Sequence, residues 1–92
     1  MSWESSIKEF KYYLKVERSL ADNSIGSYLR DINKLADYCR DIKKNEKSVA
    51  TQDIRNFISH LVSEKISPRS QARIISGIKA FYKYLILEDY IT

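Results

Sequence analysis

Apolar residues recur along this chain at alternating steps of three and four, the spacing of a helix with one buried face. Trp3, Ile7, Phe10 and Leu14 form the first stripe and predict a helix from about Trp3 to Glu17, with Lys8, Lys11 and Lys15 off it. The clearest series is Ile25, Tyr28, Ile32, Leu35, Cys39 and Ile42. It predicts a second helix capped by Asp22 or Asn23, whose short side chains accept from the free amides of a first turn. That helix should end near Lys43 or Lys44, where cations meet the negative pole of the helix dipole. A third helix, capped by Thr51, carries Ile54, Phe57, Ile58 and Leu61 on one face. Between them, Asn45 to Ala50 reads as a polar connection with little pattern. The fourth helix opens on Ser67 and Pro68: serine suits the cap, and proline suits a first helical position that needs no amide. Its core stripe is Ile75, Ile78, Tyr82 and Leu85, flanked by Ile74 and Phe81, and the pattern extends to Glu88. The stretch from Phe81 to Leu87 is apolar on most sides and calls for a second partner, inside or outside the domain. The reading is all-α: a compact four-helix bundle forming one domain over residues 1–92.

Composition narrows the picture. With two glycines and one proline in 92 residues, the chain has few breaks, which favours a few helices over many strands. Cys39 is the lone cysteine and His60 the lone histidine, so neither an internal disulfide nor a tetrahedral zinc site can be assembled. No apolar run approaches the roughly 20 residues that span a bilayer, and Met1 to Phe10 lacks an apolar signal region. The expectation is a cytoplasmic chain with no membrane contact and no cofactor.

The formal net charge is +4, and its placement says more than its size. From Lys65 to Leu87 the chain carries Lys65, Arg69, Arg73, Lys79 and Lys83 and no acid, the footprint expected for a polyanionic partner. The outward face of the fourth helix holds Arg69, Arg73, Ser76, Gly77, Ala80 and Lys83, a narrow basic ridge. Arginine there can reach guanine edges or phosphates in a major groove; a solvated helix face is the plainer alternative. The function reading rests on the absence of an acid paired with the arginines along the ridge. On the second helix the outward face holds Asn23, Gly26, Ser27, Arg30 and Lys34. Gly26 costs roughly 1 kcal/mol against alanine within a helix. Small residues there would let a phosphate strand approach the amino end, or would serve close packing against another helix. A glycine phosphate loop, a paired-histidine motif and a serine elbow are all missing, and no arginine–histidine cluster surrounds any of the seven tyrosines.

Two blocks carry a family resemblance. The first is Glu17-Arg18-Ser19-Leu20-Ala21-Asp22-Asn23-Ser24, followed by Tyr28, Arg30-Asp31-Ile32 and Leu35. The second is Ile66-Ser67-Pro68, Ser70, Ala72-Arg73, Ser76-Gly77-Ile78-Lys79 and Phe81-Tyr82-Lys83-Tyr84-Leu85. Together they resemble the core-binding, SAM-like domain of tyrosine site-specific recombinases of the Xer and phage-integrase type, over nearly the whole chain. Ser19 stands where glycine is usual, Ala21 where a capping serine is usual, and Lys79 where arginine is usual, which keeps charge but loses bidentate geometry.

The resemblance implies a division of labour. An amino-terminal domain lays its second and fourth helices against the major groove of a double-stranded DNA half-site. A separate carboxy-terminal domain, absent from this chain, supplies the tyrosine that forms a 3′-phosphotyrosyl link, with arginines and a histidine around it. The implied DNA contacts are Asn23, Ser24, Ser27 and Arg30 on the second helix, and Arg69, Ser70, Arg73, Ser76 and Lys79 on the fourth, with Lys83 further along the ridge. This fragment would hold no catalytic residue. The implied parent protein acts in DNA recombination and integration, needs no metal or high-energy cofactor, and works with other recombinase protomers on the same DNA. The competing readings are a helical protein–protein interaction domain without DNA binding and a free-standing helix-turn-helix regulator. The length of the Asn45–Ala50 connection argues against the second.

Overall fold

The computed structural model describes residues 2–88 and contains four helices: α1 (Trp3–Val16), α2 (Asp22–Asp41), α3 (Thr51–Ser63) and α4 (Pro68–Leu87). No strand occurs among the described residues. The Cα radius of gyration is 12.8 Å, matching the roughly 13 Å of a compact domain of about 100 residues. The expected all-α bundle is therefore what forms.

Each helix start has a local cause. The Ser2 side chain accepts from the Ser5 amide at 3.2 Å, and the Ser67 side chain accepts from the Ser70 amide at 3.2 Å, with Pro68 in the first turn of α4 as anticipated. The other two starts differ from expectation. Ala21, not Asp22 or Asn23, occupies the cap of α2, and no side chain caps it; Asp22 sits inside the first turn, where its charge favours the positive pole of the dipole. Ala50, not Thr51, occupies the cap of α3, and Asp53 reaches back to accept from the Ala50 amide at 2.8 Å. In both cases the polar residue that the sequence offers as a cap lies inside the first turn of the helix.

Three helix ends turn through left-handed backbone at residues other than glycine: Ser19 (φ 50°), Lys43 (φ 59°) and Lys65 (φ 61°). After α2, the Lys44 amide donates to the Cys39 carbonyl at 2.8 Å and the Lys43 amide to that of Arg40 at 3.0 Å. After α3, Ile66 donates to Leu61 and Lys65 to Val62 in the same way. These are Schellman closures, which normally favour glycine at the left-handed position. Because α2 stops at Asp41, Ile42 leaves the stripe and lies 40% exposed.

The core centres on Phe10, whose ring meets Phe81 edge-on at 5.3 Å between centroids and lies 5.6 Å from Tyr84. Leu14, Ile32, Leu35, Cys39, Phe57, Ile74 and Leu85 are buried around it. On α4 the deepest line is Ile74, Ile78, Phe81 and Leu85, whereas Ile75 and Tyr82 are only partly buried. The expected stripe is thus rotated toward its flank, since α2 packs along α4 and draws Ile74 and Phe81 inward. Gly77, expected on the outward face, is buried: a Cβ there would lie 3.4 Å from Asp31 Cβ and 3.7 Å from Tyr28 Cδ1.

The connection after α2 is more structured than its sequence suggested. Asn45 Oδ1 accepts from the amides of Lys47 and Ser48. Glu46 is buried, its Oε1 accepting from the Ser6 hydroxyl at 2.9 Å, and Trp3 Nε1 donates to the Lys44 carbonyl at 3.0 Å. The loop is clasped to α1 by polar side chains, which hydrophobic periodicity does not register.

Candidate nucleic-acid interface

The packing of α2 on α4 sets the geometry of the candidate surface. Ser24, Ser27 and Tyr28 from α2 meet Arg73 and Ser76 from α4 around a cleft of about 240 Å³, with Asp31 beneath it. Gly77 lies where the two helices meet: a Cβ there would come into contact with Asp31 and Tyr28. Four of the expected contact residues, Ser24, Ser27, Arg73 and Ser76, are therefore gathered in one cleft.

The remaining six do not line it. Asn23 is exposed in the first turn of α2, and Arg30 is exposed with one guanidinium N–H donating to Ser27 Oγ at 3.2 Å. Ser70 is half-buried, its amide and hydroxyl both engaged with Ser67 in the cap of α4. Arg69, Lys79 and Lys83 are exposed, and among the described residues no acid lies within ion-pair distance of them. A Cβ at Gly26 would meet no atom of another helix within 4 Å; the nearest side-chain atom would be Arg30 Nη1 at 3.8 Å. Close helix packing is thus not its role.

The expectation that no acid meets the ridge arginines fails at Arg73. Asp31 Oδ2 accepts from Arg73 Nε at 3.2 Å, and Oδ1 accepts from Nη2 at 3.1 Å, a bidentate pair. Asp31 is 2% exposed while the Arg73 side chain is 54% exposed, so a buried acid holds a surface arginine. Sequence reasoning missed Asp31 because the ridge was read along α4 alone. The available signal was its position: Asp31 falls on the Tyr28 and Leu35 spacing, so an acid stands within the apolar sector of α2.

The perturbed groups Cys39, Asp53 and Tyr82 do not line this cleft. Burial pushes the Cys39 thiol up to about 11, with Asp53 adding to the shift and Lys44 opposing it. Asp53 is held below the ordinary carboxylate range by the Ala50 amide and the Lys44 ammonium, the latter at 2.9 Å. His60 is exposed, its ring 5.3 Å from that of Tyr38 and its Nε2 3.5 Å from Glu64. Among the described residues no cluster of three potential metal ligands forms, and no helix is long and apolar enough to cross a membrane.

Residues 7–89 match the model of the phage integrase N-terminal SAM-like domain. The chain belongs to that family. Among similar proteins, the tyrosine recombinase XerD of Rickettsia conorii is 39% identical over 84 residues, covering 91% of this chain and 28% of its own length. XerD of Staphylococcus epidermidis is 34% identical over 85 residues, and XerD of Staphylococcus aureus 33% over 88, covering 91% and 95% of this chain. The chain spans less than a third of the length of these relatives. No solved structure matches it. The resemblance read from the two sequence blocks is thus to the family that residues 7–89 match, and the α2–α4 cleft lies within that matched region.

Proposed function

We propose that this chain is a double-stranded DNA-binding domain, the amino-terminal clamp of a tyrosine recombinase or integrase. The observation that carries this reading is the α2–α4 surface. It combines a cleft lined by small hydroxyl side chains with Arg69, Lys79 and Lys83, which no acid neutralises among the described residues. Hydroxyls and cations are the groups that bond phosphate oxygens and fix a protein's register on a duplex. Asn23, Ser24, Ser27 and Arg30 would act from α2, and Arg69, Ser70, Arg73, Ser76, Lys79 and Lys83 from α4. Ser70 acts through its neighbours, since the cap engages it. Strand breakage and rejoining would fall to the part of the parent protein that corresponds to the unmatched length of the XerD relatives, in concert with other protomers on the same DNA.

The test is titration of the chain with duplex DNA at several salt concentrations. The expected result is weak binding whose logarithm falls linearly with the logarithm of salt, because lysine and arginine release counterions from the backbone. Salt-independent binding, or none at low salt, overturns the reading. A second reading, contact with another protein, is favoured by Ile86 and Leu87, 51% and 62% exposed at the end of α4. In that case the basic ridge is idle.

A further inference from the structure

The Asp31–Arg73 pair is unusual for a surface that is meant to attract an anion. A buried carboxylate beneath an anion-binding cleft cancels the charge of the arginine above it. Its presence there calls for a role other than attraction.

Geometry supplies one. Two guanidinium N–H groups, on Nε and Nη2, are committed to Asp31, one to each oxygen. The remaining donors are not committed to Asp31, and Arg73 lines the cleft together with Ser24, Ser27 and Ser76. An arginine without a partner follows any phosphate within reach; one gripped as a fork keeps a single orientation. Asp31 itself cannot swing aside. It is 2% exposed, and Gly77 lies against it, where a Cβ would come within 3.4 Å of Asp31 Cβ and 3.7 Å of Oδ2. We infer that Asp31 is a positioning residue: it fixes Arg73 so that its remaining N–H groups discriminate among DNA sequences instead of neutralising phosphate. The inference rests on the DNA-binding reading and assigns the two charges of the pair separate tasks. Arg69, Lys79 and Lys83 supply sequence-independent affinity, and the neutralised, oriented Arg73 supplies selectivity.

The experiment uses a duplex enriched from a random pool by the wild-type chain, together with random-sequence duplex. Affinity for both is measured across a salt series for wild type, Asp31→Asn and Arg73→Lys, with folding followed by circular dichroism. Asp31→Asn keeps the size of the side chain and removes its charge. It is expected to lower the ratio of selected to random affinity about tenfold. On random duplex it should bind more tightly at low salt, with a salt slope steeper by about one unit, because a released Arg73 now meets phosphate. A merely structural role for Asp31 would weaken both duplexes together and leave the ratio and slope unchanged, which overturns the inference. Arg73→Lys retains charge without the fork and should lower the ratio with the slope unchanged; a preserved ratio overturns the inference even where Asp31→Asn fails to fold. The wild-type series reads the parent proposal separately: salt-dependent binding that is equal on both duplexes sustains DNA binding and refutes the role of Asp31.

Discussion

The Tyr82 hydroxyl on α4 donates to the backbone carbonyl of Glu46 at 2.9 Å, joining the last helix to the connection between α2 and α3. The phenol is partly buried, and burial, followed by the nearby Cys39, Glu46 and Asp53, raises its pKa well above the usual value. The hydroxyl is therefore a donor throughout the neutral range. Tyr82→Phe keeps the ring against Phe81 and strands a buried carbonyl, a loss of about 1–3 kcal/mol. Urea denaturation of the two proteins checks it. Equal midpoints would mean that water serves the Glu46 carbonyl as well as the phenol does.

Left-handed backbone at Ser19 marks a place where stability can be gained. A residue with a Cβ pays about 1 kcal/mol or more in that conformation, and φ at Ser19 is 50°. The Leu20 amide still closes on the Leu14 carbonyl at 3.1 Å, so the turn is formed against this strain. Ser19→Gly is expected to raise stability by roughly 0.5–1 kcal/mol, the strain relieved less the extra freedom glycine gains when unfolded. The midpoint of chemical denaturation should rise with an unchanged slope. A lower midpoint would show that the serine contributes something that glycine lacks.

How much of this was legible beforehand depends on what each element is made of. Helices declared by apolar spacing, such as Ile25 through Cys39, form where expected, although α2 stops at Asp41, two or three residues short of the expected end at Lys43 or Lys44. The Ser67-Pro68 start was readable because both residues act locally. What escaped was polar and long-range. Glu46 lies in a segment with no period, yet it is buried against Ser6, 40 residues away in the chain. Asp31 and Arg73 are 42 residues apart, and nothing on either helix alone announces the pair. Gly77 was assigned to the outer face of α4 because only the crossing of α2 buries it. The basic ridge was visible as composition, while the partner that neutralises one of its members was not.

Cys39 offers a probe of opening. It is fully buried and its thiol is raised to about 11, so the nucleophilic thiolate is scarce and shielded at neutral pH. Native chain should react with a disulfide reagent far more slowly than urea-unfolded chain at pH 7–8. The linkage has a definite sign. The folded state disfavours the thiolate, so the thiol's contribution to stability is intact below its ordinary value of 9.0 and is lost as pH rises toward about 11. Replacing Cys39 with alanine should flatten that part of the alkaline limb, at the expense of a small core cavity. Rapid native labelling would contradict the burial.

The cations of α4 divide by partner, and this makes a sharp prediction possible. Arg73→Ala is a poor probe of DNA contact, because it abandons the buried Asp31 carboxylate and destabilises the fold by about 1–3 kcal/mol or more. Arg69 and Lys79 have no acidic partner to abandon among the described residues. Lys79 lies about a third of a turn from the line of Arg73, where the side of a groove-bound helix meets the phosphate strand. Replacing either Arg69 or Lys79 with alanine should leave the circular dichroism unchanged. Each should also weaken binding to all duplex sequences about equally and lower the salt slope by about one unit. Ile78→Ala serves as the contrast, since Ile78 is 6% exposed on the core side of the same helix and its truncation should cost roughly 2–5 kcal/mol of stability. If Arg69→Ala and Lys79→Ala both stay folded and bind as wild type does, α4 presents a solvated face, and DNA does not lie against it.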